Sequence, residues 1–142
     1  MDWSTIEILL VEDNPQDVHH ILNSLQEVKL HNIVHVVENG AEALAFLRAE
    51  GPYGAAPYPD MIVFDLDVSC KHGFSTFCEV TSDPRFSNIP VVALVADETS
   101  RELMEKQHIT SALFLAKPLS ILHFMSAVVH IGQFSLGIVG TA

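Results

Sequence analysis

At 142 residues the chain is long enough for one ordinary domain and too short for two. A formal charge of -11 argues against a nucleic-acid partner or an anionic membrane, because their phosphates need a basic surface. No run reaches the roughly 18 to 20 apolar residues of a membrane span, and the acidic start Met1-Asp2-Trp3-Ser4 has no signal-peptide character, so a cytoplasmic protein is expected. Cys70 and Cys78 form no metal-ligand pattern and are read as reduced thiols.

Short apolar runs alternate with amphipathic segments. Ile6 to Val11 reads as a buried strand, and Asn14-Pro15 as an N-cap followed by proline at the first helical position. Val18, Ile21, Leu22 and Leu25 then recur at helical spacing. Ile33 to Val37 is a second strand, and Asn39-Gly40 leads into a helix carrying Ala41, Leu44, Ala45 and Leu47. Gly51 to Pro59 is a Gly/Pro-rich loop holding Tyr53 and Tyr58. Asp60 to Phe64 is a third strand, and Gly73 opens a helix through Phe74, Phe77 and Val80 that Asp83-Pro84 ends. Ile89 to Val95 is a fourth strand, Thr99 to His108 a fourth helix and Ala112 to Leu115 a fifth strand. Pro118 starts a fifth helix, predicted to carry Leu119, Leu122, Met125 and Val129 on one face.

Five apolar strands alternating with five helices predict an α/β fold, a parallel sheet covered on both faces. One domain spans residues 1–132, followed by an apolar tail, 133–142. Such a doubly wound sheet places its site at the carboxyl ends of the strands. Glu12, Asp13, Asp65, Val95 and Lys117 each stand at or just beyond such an end. Carboxylates converging there repel one another unless a cation joins them, and hard oxygen donors in a small pocket suit Mg2+. Asp65 is then a candidate nucleophile toward phosphorus, with Lys117 offsetting charge on the transferring oxygens.

The chain resembles the receiver domains of two-component response regulators over nearly its whole length. The matching text is Ile8-Leu9-Leu10-Val11-Glu12-Asp13-Asn14, Ile62-Val63-Phe64-Asp65-Leu66-Asp67 and Lys117-Pro118. Glu50-Gly51-Pro52-Tyr53 is similar to a loop of small stand-alone receivers that partner phytochrome-type histidine kinases. The resemblance implies a five-stranded (βα)5, flavodoxin-like fold with Asp65 as phosphoacceptor. It implies Mg2+ held by Glu12, Asp13, Asp65 and the backbone carbonyl of Asp67, with Lys117 pairing with the phosphoryl group. It also implies Phe114 as the switch aromatic, a histidine kinase (a phytochrome) as partner, no catalytic turnover of its own, and output through protein contact. The fourth helix, fifth strand and fifth helix, with the apolar tail, are the expected homodimer face.

Two departures from the family pattern stand out. Val95 replaces the hydroxyl residue that couples phosphorylation to the aromatic switch, and Thr99 and Ser100 are the nearest substitutes. The loop Val68-Ser69-Cys70-Lys71-His72-Gly73 lacks the family's proline, and Asp67 and Asp97 place acid at positions that tune phosphoryl lifetime. The alternative reading is therefore a degenerate receiver, a docking or dimerisation module insensitive to phosphorylation. A remoter one is a haloacid dehalogenase-type phosphatase, from the Asp-x-Asp of Asp65 and Asp67, although that family carries the motif on its first strand.

Overall fold

A computed structural model describes residues 6–27, 31–66, 73–107, 112–117, 120, 122–124 and 126. Five parallel strands, β1 (Ile6–Val11), β2 (Asn32–Val37), β3 (Met61–Asp65), β4 (Val91–Val95) and β5 (Leu113–Ala116), form one sheet in the order β2-β1-β3-β4-β5. The helices are α1 (Pro15–Gln26), α2 (Gly40–Arg48), α3 (Gly73–Ser82) and α4 (Glu98–Gln107), and residues 122–124 and 126 are also helical. Among the described residues no helix is long and apolar enough to cross a membrane.

The strands are apolar on both faces because each face is covered. Leu9, Val11, Ile62, Phe64, Ala93, Val95 and Phe114 point to one side, where Phe46 and Leu47 of α2 and Phe77 and Val80 of α3 meet them. Ile8, Leu10, Met61, Val63, Val92 and Leu94 point to the other, against Ile21 and Leu25 of α1 and Phe124. This is the alternation that a pleated strand imposes. Burying side chains such as Ile21 and Leu25 stabilises the fold by about 1.5–3 kcal/mol each.

Local chemistry sets the helix starts. Asn14 Oδ1 accepts from the amides of Gln16 (2.8 Å) and Asp17 (3.2 Å), with Pro15 opening α1. Asn39 Oδ1 accepts from the Glu42 amide at 2.8 Å, and Glu42 Oε1 accepts from the Glu38 amide at 2.8 Å. Helix α2 stops at Ala49, whose φ of 54° is left-handed, and the expected loop then opens with a 3-10 turn, Gly51–Tyr53. Tyr53 packs on Phe46 with ring centroids 5.6 Å apart, which closes the chain over that end of the sheet. Tyr58 is exposed, and its hydroxyl donates to the Arg85 carbonyl at 3.2 Å.

Several boundaries move by a residue or two. Strand β3 begins at Met61 rather than Asp60, because the Asp60 carboxylate accepts the Glu7 amide at 2.8 Å and serves as an anchor before the strand. Strand β4 begins at Val91, since Ile89 still belongs to a turn, with its amide bonded to the Phe86 carbonyl at 2.9 Å. The predicted apolar stripe of the last helix needs correction: Leu122 is 74% exposed and Phe124 is the buried residue. The Phe124 amide bonds to the Ser120 carbonyl at 2.9 Å, and two residues along a helix turn the side chain by about 200°, so burying Phe124 sends Leu122 outward. Leu119, Met125, Val129 and the tail 133–142 lie outside the described residues.

Strand β2 is a sheet edge, with Ile33 and Val36 exposed. His35 of this strand lies 2.6 Å from Glu7 Oε2 and stacks on Phe46 with centroids 5.2 Å apart.

Helices α2 and α3 meet closely at Gly40, where a Cβ atom would fall 1.8 Å from Thr76 Oγ1 and 3.0 Å from Thr76 Cβ. Gly40→Ala is therefore expected to cost about 1–3 kcal/mol. Chemical denaturation should show a smaller penalty for the same change in a Thr76→Ala background.

Candidate functional site

The strand order reverses between β1 and β3, and a crevice opens at their carboxyl ends. Glu12 follows β1 directly and is held there by its amide, which donates to the Val37 carbonyl at 2.9 Å. Asp65 is the last residue of β3. Both are only 2% exposed. Lys117 follows β5, and its amide donates to the Val95 carbonyl at 2.8 Å, so the backbone ties the lysine to the end of β4.

Lys117 Nζ forms an ion pair with Asp65 Oδ2 and lies 3.3 Å from Asp17 Oδ2. Carboxylate oxygens of Glu12, Asp17 and Asp65 all fall within 4.8 Å of one another. At about 4 Å and an effective dielectric near 20, each pair of ionised acids costs roughly 4 kcal/mol. Glu12 is strongly perturbed in this setting. Burial, then its contact with the Asp65 carboxyl, push its pKa from 4.5 up to about 8, against the pull of the Asn14 amide that donates to Oε1 at 3.0 Å. Burial opposes charge on Lys117, but the ion pairs with Asp65 and Asp17 outweigh it and hold the ammonium above its usual range.

The structure thus brings Glu12, Asp65 and Lys117 together as expected. It sets Asp13 apart: that side chain is exposed and is not among the converging acids. Asp17, which the sequence analysis does not single out, converges with Glu12 and Asp65 instead. Its signal was the Asn14-Pro15-Gln16-Asp17 start of α1, which puts an acid in the first turn of a helix that begins beside the site. Asp67 lies outside the described residues, as does the loop 67–72.

Val95 is buried in the same apolar cluster as Phe114 and Phe77. Phe77 is the hinge of an aromatic row, with centroids 5.7 Å from Phe64 and 5.8 Å from Phe114. Thr99 and Ser100 offer no ready replacement for a hydroxyl at Val95. Thr99 is exposed, and Ser100 donates its amide to Asp97 Oδ1 at 2.8 Å. Asp97 is therefore the N-cap of α4, and the Ser100 amide and hydroxyl hold its pKa below the ordinary value.

Glu12 Oε2 is buried and meets no hydrogen-bond donor among the described residues. An all-oxygen donor set that stays acidic after Lys117 is counted fits a hard divalent cation. Without a cation the Glu12 shift has a definite sign. Between pH 4.5 and about 8 the unfolded chain releases the Glu12 proton while the folded chain keeps it, so stability falls as pH rises through that window. Metal-free protein should lose about 1–3 kcal/mol on this account. Thermal melts from pH 5 to 8 should show a shallower fall for Glu12→Gln, and Mg2+ should flatten the wild-type profile.

The family description for the response regulator receiver domain matches residues 8–129. Response regulator Rcp1 of Synechocystis sp. is 27% identical over 129 residues, which cover 91% of this chain and 88% of Rcp1. The structure of the Mn2+-bound form of Rcp1 aligns with a TM-score of 0.66, covering 91% of this chain and 93% of that one. The bacteriophytochrome response regulator AtBRR is 31% identical, with a TM-score of 0.81 over 92% of this chain and 95% of its own. The phosphorylated cyanobacterial phytochrome response regulator RcpA is also 31% identical, with a TM-score of 0.70 over 94% of this chain and 95% of its own. These likenesses do not favour the phosphorylation-insensitive reading, nor the phosphatase one, whose motif belongs on a first strand whereas Asp65 ends β3. The sheet order, the Asp65–Lys117 pair and the family match together make this chain a member of the response regulator receiver domain family, a phosphoryl-accepting module of a phosphorelay.

Proposed function

We propose that Asp65 is the phosphoacceptor and takes its phosphoryl group from the phosphohistidine of a histidine kinase of the phytochrome type. The buried ion pair between Asp65 and Lys117, beside Glu12 at the strand ends, carries this reading. An Asp65 carboxylate oxygen attacks phosphorus, the O–P bond forms as the P–N bond breaks, and the imidazole leaves. Lys117 follows the charge onto the phosphoryl oxygens. Glu12, Asp13, Asp65 and the Asp67 backbone carbonyl would hold Mg2+, and the ion would supply further positive charge for those oxygens. The protein is read as cytoplasmic, its relatives being response regulators.

Output is by protein contact. Leu103 on α4 and Leu122 on the last helical segment are both exposed and support a homodimer face that includes β5. Substituting glutamate at both positions should shift the sedimentation coefficient to that of a monomer; an unchanged value would remove this face from consideration.

Val95 shapes the response rather than the chemistry. A charge-assisted hydrogen bond from a hydroxyl there would contribute roughly 1.5–3 kcal/mol to a rearranged state, and valine contributes none. With Mg2+ and acetyl phosphate, intact mass should rise by one phosphoryl group in the wild type and not in Asp65→Asn. Amide shifts should stay near the ends of β1, β3 and β5 in the wild type and reach Phe114 and its neighbours in Val95→Thr. Unmodified wild-type protein would refute the phosphoacceptor assignment.

A further inference from the structure

Asp17 is the third residue of α1, where an acid ordinarily favours the helix dipole and bonds back to the N-cap amide. Here the Asn14 amide is taken by Glu12 Oε1 at 3.0 Å. Asp17 turns instead to Lys117, 100 residues away in sequence, with Oδ2 at 3.3 Å from Nζ. The same ammonium pairs with Asp65. One lysine is thus divided between the proposed phosphoacceptor and an acid on a different element.

We propose that Asp17 is a positioning residue that competes with the incoming phosphoryl oxygens for Lys117 and so slows phosphoryl uptake. This rests on Asp65 being the acceptor. Adding a phosphoryl group to a carboxylate makes an acyl phosphate with about two negative charges, one more than the carboxylate carries, and Lys117 must loosen its contact with Asp17 to meet it. The lysine side chain is 17% exposed and that of Asp17 39%, so the pair is partly screened and its hold is moderate. The restraint acts on the geometry of the reacting groups, and its signature is in the limiting rate rather than in the donor concentration needed.

The test is the rate of Asp65 modification against acetyl phosphate concentration, with Mg2+, in the wild type, Asp17→Asn and Asp17→Glu. Asp17→Asn should raise the limiting rate roughly three- to fivefold, the scale of one partly exposed ion pair, with the half-saturating concentration little changed. Asp17→Glu, which keeps the charge, should stay near wild type. In metal-free protein, the side-chain 13Cε signal of Lys117 should move in Asp17→Asn while the remaining amide spectrum is preserved. An unchanged limiting rate, or a change confined to the half-saturating concentration, would overturn the proposal. If the wild type gains no phosphoryl group, the phosphoacceptor reading fails by itself and the lysine signal decides the tether: a shift supports it and an unmoved signal overturns it.

Discussion

The ammonium of Lys117 is the one cation that meets the buried Asp65 carboxyl beside Glu12 among the described residues. Two carboxylates at the ends of adjacent strands would otherwise repel each other in a setting where water screens little. The sheet order creates the crevice, and the backbone bond from Lys117 to Val95 brings the lysine's strand end against the next one. The pair therefore depends on three strands holding register, and both apolar clusters behind them serve that register. Glu12 is left carrying the uncompensated charge, which the structure resolves by favouring a proton and a receiver would resolve with a cation.

The fold was legible because its signals are local. Alternating apolar runs, Asn14-Pro15, Asn39-Gly40 and the Asp83-Pro84 stop placed nearly every element to within two residues. What failed were features set by tertiary contact. Asp60 reads as strand by its neighbours, but its side chain is fixed by the Glu7 amide from another strand. Leu122 fits an apolar stripe, but the apolar cluster on that face of the sheet takes Phe124. The site was legible to the extent that its residues sit at strand ends. Asp17 sits on a helix, and only the three-dimensional approach of Lys117 reveals it; Asp13, adjacent to Glu12 in the chain, is exposed.

On the function proposed above, Val95 would separate two tasks that a receiver joins. Accepting a phosphoryl group needs an acid, a cation and a lysine. Reporting it needs something that pulls β4 toward the new charge. Here the side chain at that position belongs to the apolar cluster with Phe77 and Phe114, so it resists moving toward a charged group. The backbone link from Lys117 to the end of β4 remains as a second route by which a displaced lysine tugs on the same strand.

Among the described residues β2 pairs with β1 alone, which has a consequence for handling the protein. Strand β2 reads Asn32-Ile33-Val34-His35-Val36-Val37, with no lysine or proline to blunt it and two exposed β-branched side chains. What keeps one such edge from annealing to another is the charge of -11, which makes copies repel at neutral pH. That protection is colloidal rather than structural. It fades as the Debye length shrinks to about 3 Å in molar salt, and again near the isoelectric point of 4.9. The protein is accordingly built to stay dispersed in dilute neutral buffer and to cohere along β2 when its surface charge is screened or titrated away.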